Sequence, residues 1–410
     1  MNFESTITTI DVGSSKIKTI IAWVLSEPED TLVVLWIWNT NSTAIRKWNI
    51  LDIEDFKANL DKSLLEAEKM SWEHVSGAYL SFSSSNFEVI VNKWVVAISG
   101  DEITSDDVDR VLDMAKNWID LPNKEILKII PEYFVVDLEE GVKNPIWMSA
   151  RKLEVVAHIF VVNSNILNNI RKAIADVGIE IIDIYPNLLS SAEWILTKRQ
   201  KELWVVCVDI WASTTWVTVF EEWVLKHSAI IPVWWDNVTN DIALWTRTSI
   251  DIAERLKVDY SELTSESIEV KNKELDYKKL NIDEEGWISL EYLSNIATAR
   301  YEEILNFVKD ELIHIWKDWM LPEWVILVWW ASKEKWLVEL SKDILKLPSF
   351  VWIPSMNDEL VDATINDPAF SGTVWNLFLA QRYGHDDVSF SFNIGWLFKS
   401  ILKILKKIMP

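Results

Sequence analysis

Two aspartates, Asp11 and Asp209, each close an apolar run and open a short turn rich in hydroxyl groups. The first turn reads Asp11-Val12-Gly13-Ser14-Ser15-Lys16 and the second Asp209-Ile210-Trp211-Ala212-Ser213-Thr214-Thr215. One Asp-x-Gly-Ser string carries little weight, because such strings arise by chance. Its recurrence in the second half of the chain carries much more. Two turns of this kind can clasp a triphosphate from both sides. Backbone N–H groups cradle the phosphate oxygens, and the aspartates face a Mg2+ ion, usually through water. A third element, Val325-Ile326-Leu327-Val328-Trp329-Trp330-Ala331-Ser332, runs an apolar strand into a double-turn position.

Such turns need positive φ or a close approach of backbone to ligand, which glycine supplies and an indole does not. Yet the chain has 26 tryptophans and only nine glycines among 410 residues. Glycine ordinarily makes up about 7% of a protein, and the two residue types together restore roughly that share. The tryptophans also sit where glycines belong: Trp211 and Trp216 at the second turn, Trp234 and Trp235 before Asp236, Trp329 and Trp330 after the third apolar strand. The pattern predicts that most of these positions are glycine in the living cell. The expected cause is a UGA codon, read as glycine by some bacterial lineages and rendered here as tryptophan. With glycine at 329 and 330, the third element becomes a loop able to pass close against a nucleoside. A genuinely tryptophan-rich protein is the competing reading.

The segments that would hold these turns alternate between strand-like and helix-like, the mark of an α/β protein. Thr6–Val12 and Ile17–Val24 read as two strands of a hairpin, and Val33–Trp38 as a third strand. Asp52 caps a predicted helix whose apolar positions Ile53, Phe56, Leu60 and Leu64 share one face. Thr104 begins a second helix, with Val108, Val111, Leu112 and Ala115 inward, and a third starts near Ser164 with Ile166, Leu167, Ile170 and Ile174 on one stripe. Leu203–Ile210 and Thr215–Phe220 repeat the design of the first hairpin. Asp251–Glu285 is strongly charged and reads as helix or loop with a solvated face.

Composition narrows the partners. The net charge of −23 argues against non-specific binding of nucleic acid. The single cysteine, Cys207, excludes an internal disulfide and lies in an apolar run, as a buried strand residue would. Five histidines (74, 158, 227, 314 and 385) lack metal-ligand spacing and read as surface or satisfied structural residues. No signal peptide is expected at the N-terminus, and no apolar run is long enough to span a bilayer.

In order and spacing the three elements resemble the actin-like ATPase superfamily, and within it the FtsA family of bacterial cell-division proteins. DVGSSKIKTIIAW resembles that family's first phosphate motif, and VVLWIWNTNSTAIRKWNILDIE its following strand and loop. NKWVVAIS and IPEYFVVDLEEGVKNPIWMSARKLEVVAHIF resemble the inserted subdomain that sets the family apart from actin. VVCVDIWASTTWVTVF resembles the second phosphate motif, followed in family order by IPVWWDNVTNDIA, AERLK, VILVWWAS and DPAF. The departures are almost all tryptophan where the family has glycine. The resemblance implies residue roles. Asp11 and Asp209 would organise Mg2+. Gly13, Ser14, Ser15 and Lys16 would hold phosphates, as would Trp211, Ala212, Ser213, Thr214 and Thr215. Trp234, Trp235 and Asp236 would lie near the ribose and phosphates, and Trp329, Trp330 and Ala331 would line the adenosine pocket of bound ATP. Glu254 and Lys257 would flank the nucleoside, with a surface ion pair as the alternative. Glu193 falls where actin-like enzymes position an attacking water.

The chain ends in a basic amphipathic stretch. Leu397, Ile401, Leu405 and Ile408 share one helical face, widened by Phe398, Leu402 and Ile404, while Lys399, Lys403, Lys406 and Lys407 take the other. That pattern suits an interfacial helix on an anionic membrane. Packing on its own domain or on a partner is the alternative. The fold expected is α/β: an actin-like two-lobed ATPase of two RNase H-like domains, with an inserted subdomain and a C-terminal amphipathic helix. The expected divisions are a lobe 1 core over 1–83, the insert over 84–163 and a return to lobe 1 over 164–200. Lobe 2 follows as a core over 201–235, an outer subdomain over 236–300 and a core over 301–383. A tether over 384–395 leads to the membrane helix at 396–410. The function implied is an ATP-binding protein, with slow hydrolysis at most. It would polymerise head-to-tail, bind FtsZ, anchor the FtsZ ring to the cytoplasmic membrane and recruit later division proteins. A sugar or acetate kinase would need a second-substrate site with a positioned base, whereas the pilus-assembly relative PilM shares fold and insert.

Overall fold

A computed structural model of the chain describes residues 3–13, 16–25, 31–41, 44–46, 49–82, 87–117, 121–187, 195–211, 214–233, 235–260, 273–276, 287–315, 324–328, 335–352, 373, 374, 376, 377 and 380. The chain opens with an antiparallel meander, β1 (Phe3–Val12), β2 (Lys16–Leu25) and β3 (Thr31–Asn41). Their β-branched runs fit a pleated, buried surface. A small hairpin of β4 (Ile45–Arg46) and β5 (Asn49–Ile50) leads to helix α1 (Ile53–Ser71). Asp52 caps this helix by accepting from the backbone N–H groups of Glu54 and Asp55, and Phe56, Leu60 and Leu64 are buried on the expected face. Strand β6 (Gly77–Phe82) then returns parallel to β1.

An insert follows: β7 (Glu88–Ala97), α2 (Ser105–Asn117), β8 (Lys124–Val136), β9 (Glu139–Val142) and β10 (Lys152–Asn163). Its four strands form an antiparallel sheet in the order β7-β10-β8-β9. Val108, Val111, Leu112 and Ala115 of α2 pack with this sheet in a core of their own. The chain re-enters the first lobe through α3 (Ser164–Asp176), capped by Asn163, and β11 (Glu180–Pro186).

The second lobe repeats the first. Helix α4 (Lys198–Glu202) precedes a meander of β12 (Val205–Ile210), β13 (Thr215–Glu221) and β14 (Val224–Ile231). Helices α5 (Trp235–Thr246) and α6 (Ile250–Tyr260), the short pair β15 (Glu274–Asp276) and β16 (Trp287–Ser289), and helix α7 (Leu290–His314) come next. Strand β17 (Val325–Val328), α8 (Lys335–Leu345) and β18 (Ser349–Val351) complete it. The sheets run β3-β2-β1-β6-β11 and β14-β13-β12-β17-β18. Each combines three antiparallel strands with two parallel ones in the same places. Every residue of β12 and β17 is buried, as expected of strands covered on both faces.

Three sequence expectations need adjustment. The third strand runs beyond Val33–Trp38, because the polar residues Asn39, Thr40 and Asn41 continue the backbone ladder with Lys18, Ile17 and Lys16. The charged segment after Asp251 contains a strand: Leu275 and Ile288 pair across β15 and β16 and are both buried. His158 is neither on the surface nor satisfied. It is buried on β10, and neither ring nitrogen makes a well-aligned hydrogen bond among the described residues. Among those residues no helix is long and apolar enough to cross a membrane.

His158 marks the junction of the insert with lobe 2. Glu132 of β8 lies 3.5 Å from the His158 ring through one oxygen and 3.2 Å from the Lys226 ammonium of β14 through the other. Lys143 reaches the β13–β14 turn, donating to the Glu222 carbonyl at 2.8 Å and to its carboxylate at 3.1 Å. Burial pushes the Glu132 carboxyl upward, but His158 and Lys226 outweigh it and hold the group below its ordinary 4.5. A depressed carboxyl stabilises the fold above its unfolded value, and that contribution is lost as pH falls through the lower folded value. Stability is therefore expected to fall with acidification below about pH 4.5, and less steeply in Lys226→Met. A double-mutant cycle of Glu132→Gln with Lys226→Met, followed by urea unfolding, should give a coupling of roughly 0.5–2 kcal/mol. Additivity would show that the pair does not join the insert to the lobe.

Candidate nucleotide cleft

Asp11 and Asp209 occupy the same place in the two sheets. Each is the next-to-last residue of the central strand, with an antiparallel neighbour on one side (Lys18 or Trp216) and a parallel one on the other (Ser81 or Val328). Both are fully buried. A buried carboxylate must be paired or hydrogen-bonded, and Asp11 is amply served. Lys18 Nζ sits 3.3 Å away, and Ser81 Oγ, Asn187 Nδ2 and Thr373 Oγ1 donate at 3.0, 3.3 and 3.3 Å.

The hairpin turns are closed alike. Gly13 donates its N–H to the Lys16 carbonyl at 3.0 Å, and Trp211 donates to the Thr214 carbonyl at 2.8 Å. Space at the first turn excludes a side chain, since a Cβ on Gly13 would stand 2.6 Å from the Lys16 oxygen. The matching residue of the second turn is Trp211, only 4% exposed, with Lys18 Nζ 5.4 Å from its ring centroid. The indole thus reaches from the lobe 2 turn to the lysine that pairs with Asp11. Trp216, next to Thr215, is buried against Phe87 with ring centroids 5.6 Å apart, and donates to Thr214 Oγ1 at 3.2 Å.

Thr215 Oγ1 donates to the Val233 carbonyl at 2.6 Å, tying the second turn to the start of α5. Trp235 opens this helix and Asp236 follows in its first turn. Asp236 is exposed, yet protein crowds its carboxyl. That crowding pushes its pKa up to about 6, with Lys257 lowering it and Glu254 raising it. Lys257 is 1% exposed, donates to Thr239 of α5 and lies 2.6 Å from Glu254 Oε2. Glu254 also accepts from Thr239. In the Glu254–Lys257 pair the lysine is buried and links α6 to α5, while the glutamate side chain is 45% exposed. Cys207 is buried on β12, where desolvation raises its thiol pKa far above the ordinary value.

Ser14, Ser15, Glu193, Ala212, Ser213, Trp234, Trp329, Trp330, Ala331 and the whole of 396–410 lie outside the described residues. Lys16 is half-buried at the first turn, and Thr214 and Thr215 are buried at the second. Sequence reasoning missed Lys18, Ser81, Asn187 and Thr373 around Asp11. One signal was available: Lys18 is a charge within an apolar strand, and such a charge needs a partner. Among the described residues no three His, Cys, Asp or Glu side chains converge. The two aspartates are hard oxygen donors that suit Mg2+ held largely by water and phosphate. The donor set fits that ion, but the Trp211 indole takes space beside it.

The comparisons with known proteins agree with this geometry. Residues 84–161 match the family described as SHS2 domain inserted in FTSA, and residues 206–374 match Cell division protein FtsA. The chain belongs to the FtsA family. The FtsA of Pseudomonas aeruginosa is 28% identical over 382 residues, covering 93% of this chain and 91% of the relative. That of Escherichia coli K12 is 26% identical over 306 residues, 75% of this chain and 72% of the relative. Among solved structures, a PilM-PilN type IV pilus biogenesis complex superposes with a TM-score of 0.63 at 14% identity, over 92% of this chain and 98% of that one. MreB5 of Spiroplasma citri bound to ADP gives 0.53 at 12% identity, over 93% and 99%. At such identities the likeness establishes the actin-like ATPase fold alone, so the pilus protein lends no function. This FtsA-family chain is an actin-like cell-division protein with an SHS2 insert.

The Asp11 network yields a direct test. Lys18→Met leaves a fully buried carboxylate with neutral donors only, and losing one partner of a buried pair costs about 3–5 kcal/mol. Chemical denaturation should show a loss of that order, with an unchanged midpoint meaning that Lys18 contributes nothing to holding Asp11.

Proposed function

We propose that this FtsA-family protein binds ATP with Mg2+ between its two lobes and uses the bound state to control self-assembly at the division site. The observation that carries the reading is the placement of two buried aspartates, each beside a hairpin turn closed by the same hydrogen bond, in two sheets of one topology. Asp11 and Asp209 would hold Mg2+, which when bound would neutralise phosphate charge. Gly13, Ser14, Ser15 and Lys16 face the phosphates from lobe 1, and Ala212, Ser213, Thr214 and Thr215 from lobe 2. Asp236 lies near the ribose and phosphates, Glu254 and Lys257 flank the nucleoside, and residues 329–331 line the adenosine pocket. Glu193 orients a water for slow hydrolysis. Nucleotide state biases lobe closure and hence head-to-tail contacts between copies.

The protein joins the FtsZ ring to the membrane and assembles later division proteins there. FtsZ engages the outer subdomain around 236–300, and residues 397–408 lie in the cytoplasmic membrane interface with the lysines toward anionic headgroups. Deletion of 397–410 is expected to abolish co-sedimentation with anionic liposomes while leaving co-pelleting with FtsZ polymers intact. Binding to the vesicles without this segment would refute the anchor.

The cleft reading includes glycine, in the cell, at positions 211, 234, 235, 329 and 330. As written, the chain should bind ATP poorly, because the 211 indole already fills part of the space beside Lys18 and Asp11. Replacing the five tryptophans by glycine should tighten ATP binding by at least about tenfold, roughly 1.4 kcal/mol, as measured by calorimetry. Equal affinity in the two versions would refute this account of the cleft.

A further inference from the structure

Three tryptophans outside the cleft turns sit in a backbone conformation that suits glycine. Trp72, Trp147 and Trp223 have φ of 60°, 71° and 70°. Of the eight non-glycine residues with positive φ among those described, three are tryptophan. Asn123 and Asp137 belong to types that tolerate this region, whereas for a bulky residue it is an outlier. None of the three indoles is buried in exchange: they are 93%, 76% and 43% exposed.

Each also stands at the glycine position of a different motif. Trp72 ends α1 in the left-handed conformation, with its N–H on the Glu68 carbonyl at 2.9 Å, the terminus that helices most often give to glycine. Trp147 is third in the turn Pro145-Ile146-Trp147-Met148, closed by the Met148 N–H on the Pro145 carbonyl at 3.1 Å. Positive φ at the third position is what makes a type II turn require glycine. Trp223 is second in a two-residue hairpin loop with Glu222, between the paired Glu221 and Val224, and both loop residues have positive φ. That is the type I′ pattern, whose second residue is characteristically glycine. Three unrelated motifs thus place tryptophan where each would take glycine.

We infer that residues 72, 147 and 223 are glycine in the cellular protein because its source decodes UGA as glycine throughout the gene. This goes beyond the cleft reading, since no nucleotide or phosphate contact enters it. It requires a glycine-accepting tRNA that pairs with UGA and translation termination at the other stop codons.

The codons give the first test: UGA is expected at 72, 147 and 223, and UGG at these positions would overturn the inference. Mass spectrometry of the protein isolated from its own cells gives the second. Peptides spanning the three sites should be lighter by the tryptophan-to-glycine difference, and peptides of tryptophan mass would overturn it. Recombinant variants test the backbone argument itself. Trp72→Gly, Trp147→Gly and Trp223→Gly should each raise the unfolding midpoint by about 1–2 °C. The matching alanine variants should fall short of them, because alanine keeps the Cβ that left-handed backbone disfavours. Alanine variants equal to the glycine ones would refute that argument. ATP affinity reports only on the cleft positions, so failure there and failure here are separately visible.

Discussion

Burying the Asp11 carboxylate is the constraint around which lobe 1 is arranged. An uncompensated charge in that position would be too costly to fold around. The chain therefore has to bring donors from β2, β6, the end of β11 and the distant Thr373 to one point. None of these segments is next to another in sequence, yet all converge at the end of the central strand. The sheet order follows from the same demand. β1 must have β2 on one side to supply Lys18 and β6 on the other to supply Ser81.

Lobe 2 reuses the sheet but differs in its surroundings. Its aspartate sits opposite a tryptophan rather than a lysine, and beside a valine rather than a serine. The second turn is instead held by hydroxyl contacts: Thr215 donates to the Val233 carbonyl just before α5, and Thr214 accepts from the Trp216 indole N–H. Elsewhere in this lobe Lys257, Glu254 and Thr239 join two helices, close enough for the two charges to act on Asp236. The two halves of the cleft thus share geometry without sharing electrostatics. Lobe 1 offers a carboxylate paired with a lysine, and lobe 2 carries Asp236, whose surroundings raise its pKa to about 6.

What the sequence revealed was local. The hairpins, the Asp52 cap and the inward faces of α1, α2 and α3 depend on neighbours within a few residues, and those patterns are visible in the chain. The repeated Asp-led turn was legible because both copies keep the order strand, aspartate, turn, strand. The donors around Asp11 were not, since nothing near Asn187 or Thr373 in sequence points to a carboxylate so far upstream. The burial of His158 beside Glu132 was invisible for the same reason: it arises only when β10 packs against β8 and Lys226 of β14 meets the same carboxylate. Tryptophan content was the opposite case. It signalled something at the level of composition, and only the backbone angles showed which positions resist an indole for reasons unconnected with a ligand.

Thr373 has a mechanical meaning beyond its part in the Asp11 network. Its hydroxyl reaches Asp11 and its carbonyl accepts from Thr9 at 3.2 Å. Val374, Leu377 and Ala380, just downstream, are buried in the same core as β1 and β2. The chain, having built lobe 2, is thereby riveted back onto lobe 1 before its final residues. A pull on the chain beyond this rivet is therefore delivered to lobe 1 first. The core that holds it also takes in Val205, Cys207, Trp216 and Val328 of lobe 2, and the Glu132–Lys226 contact ties the insert to that lobe as well.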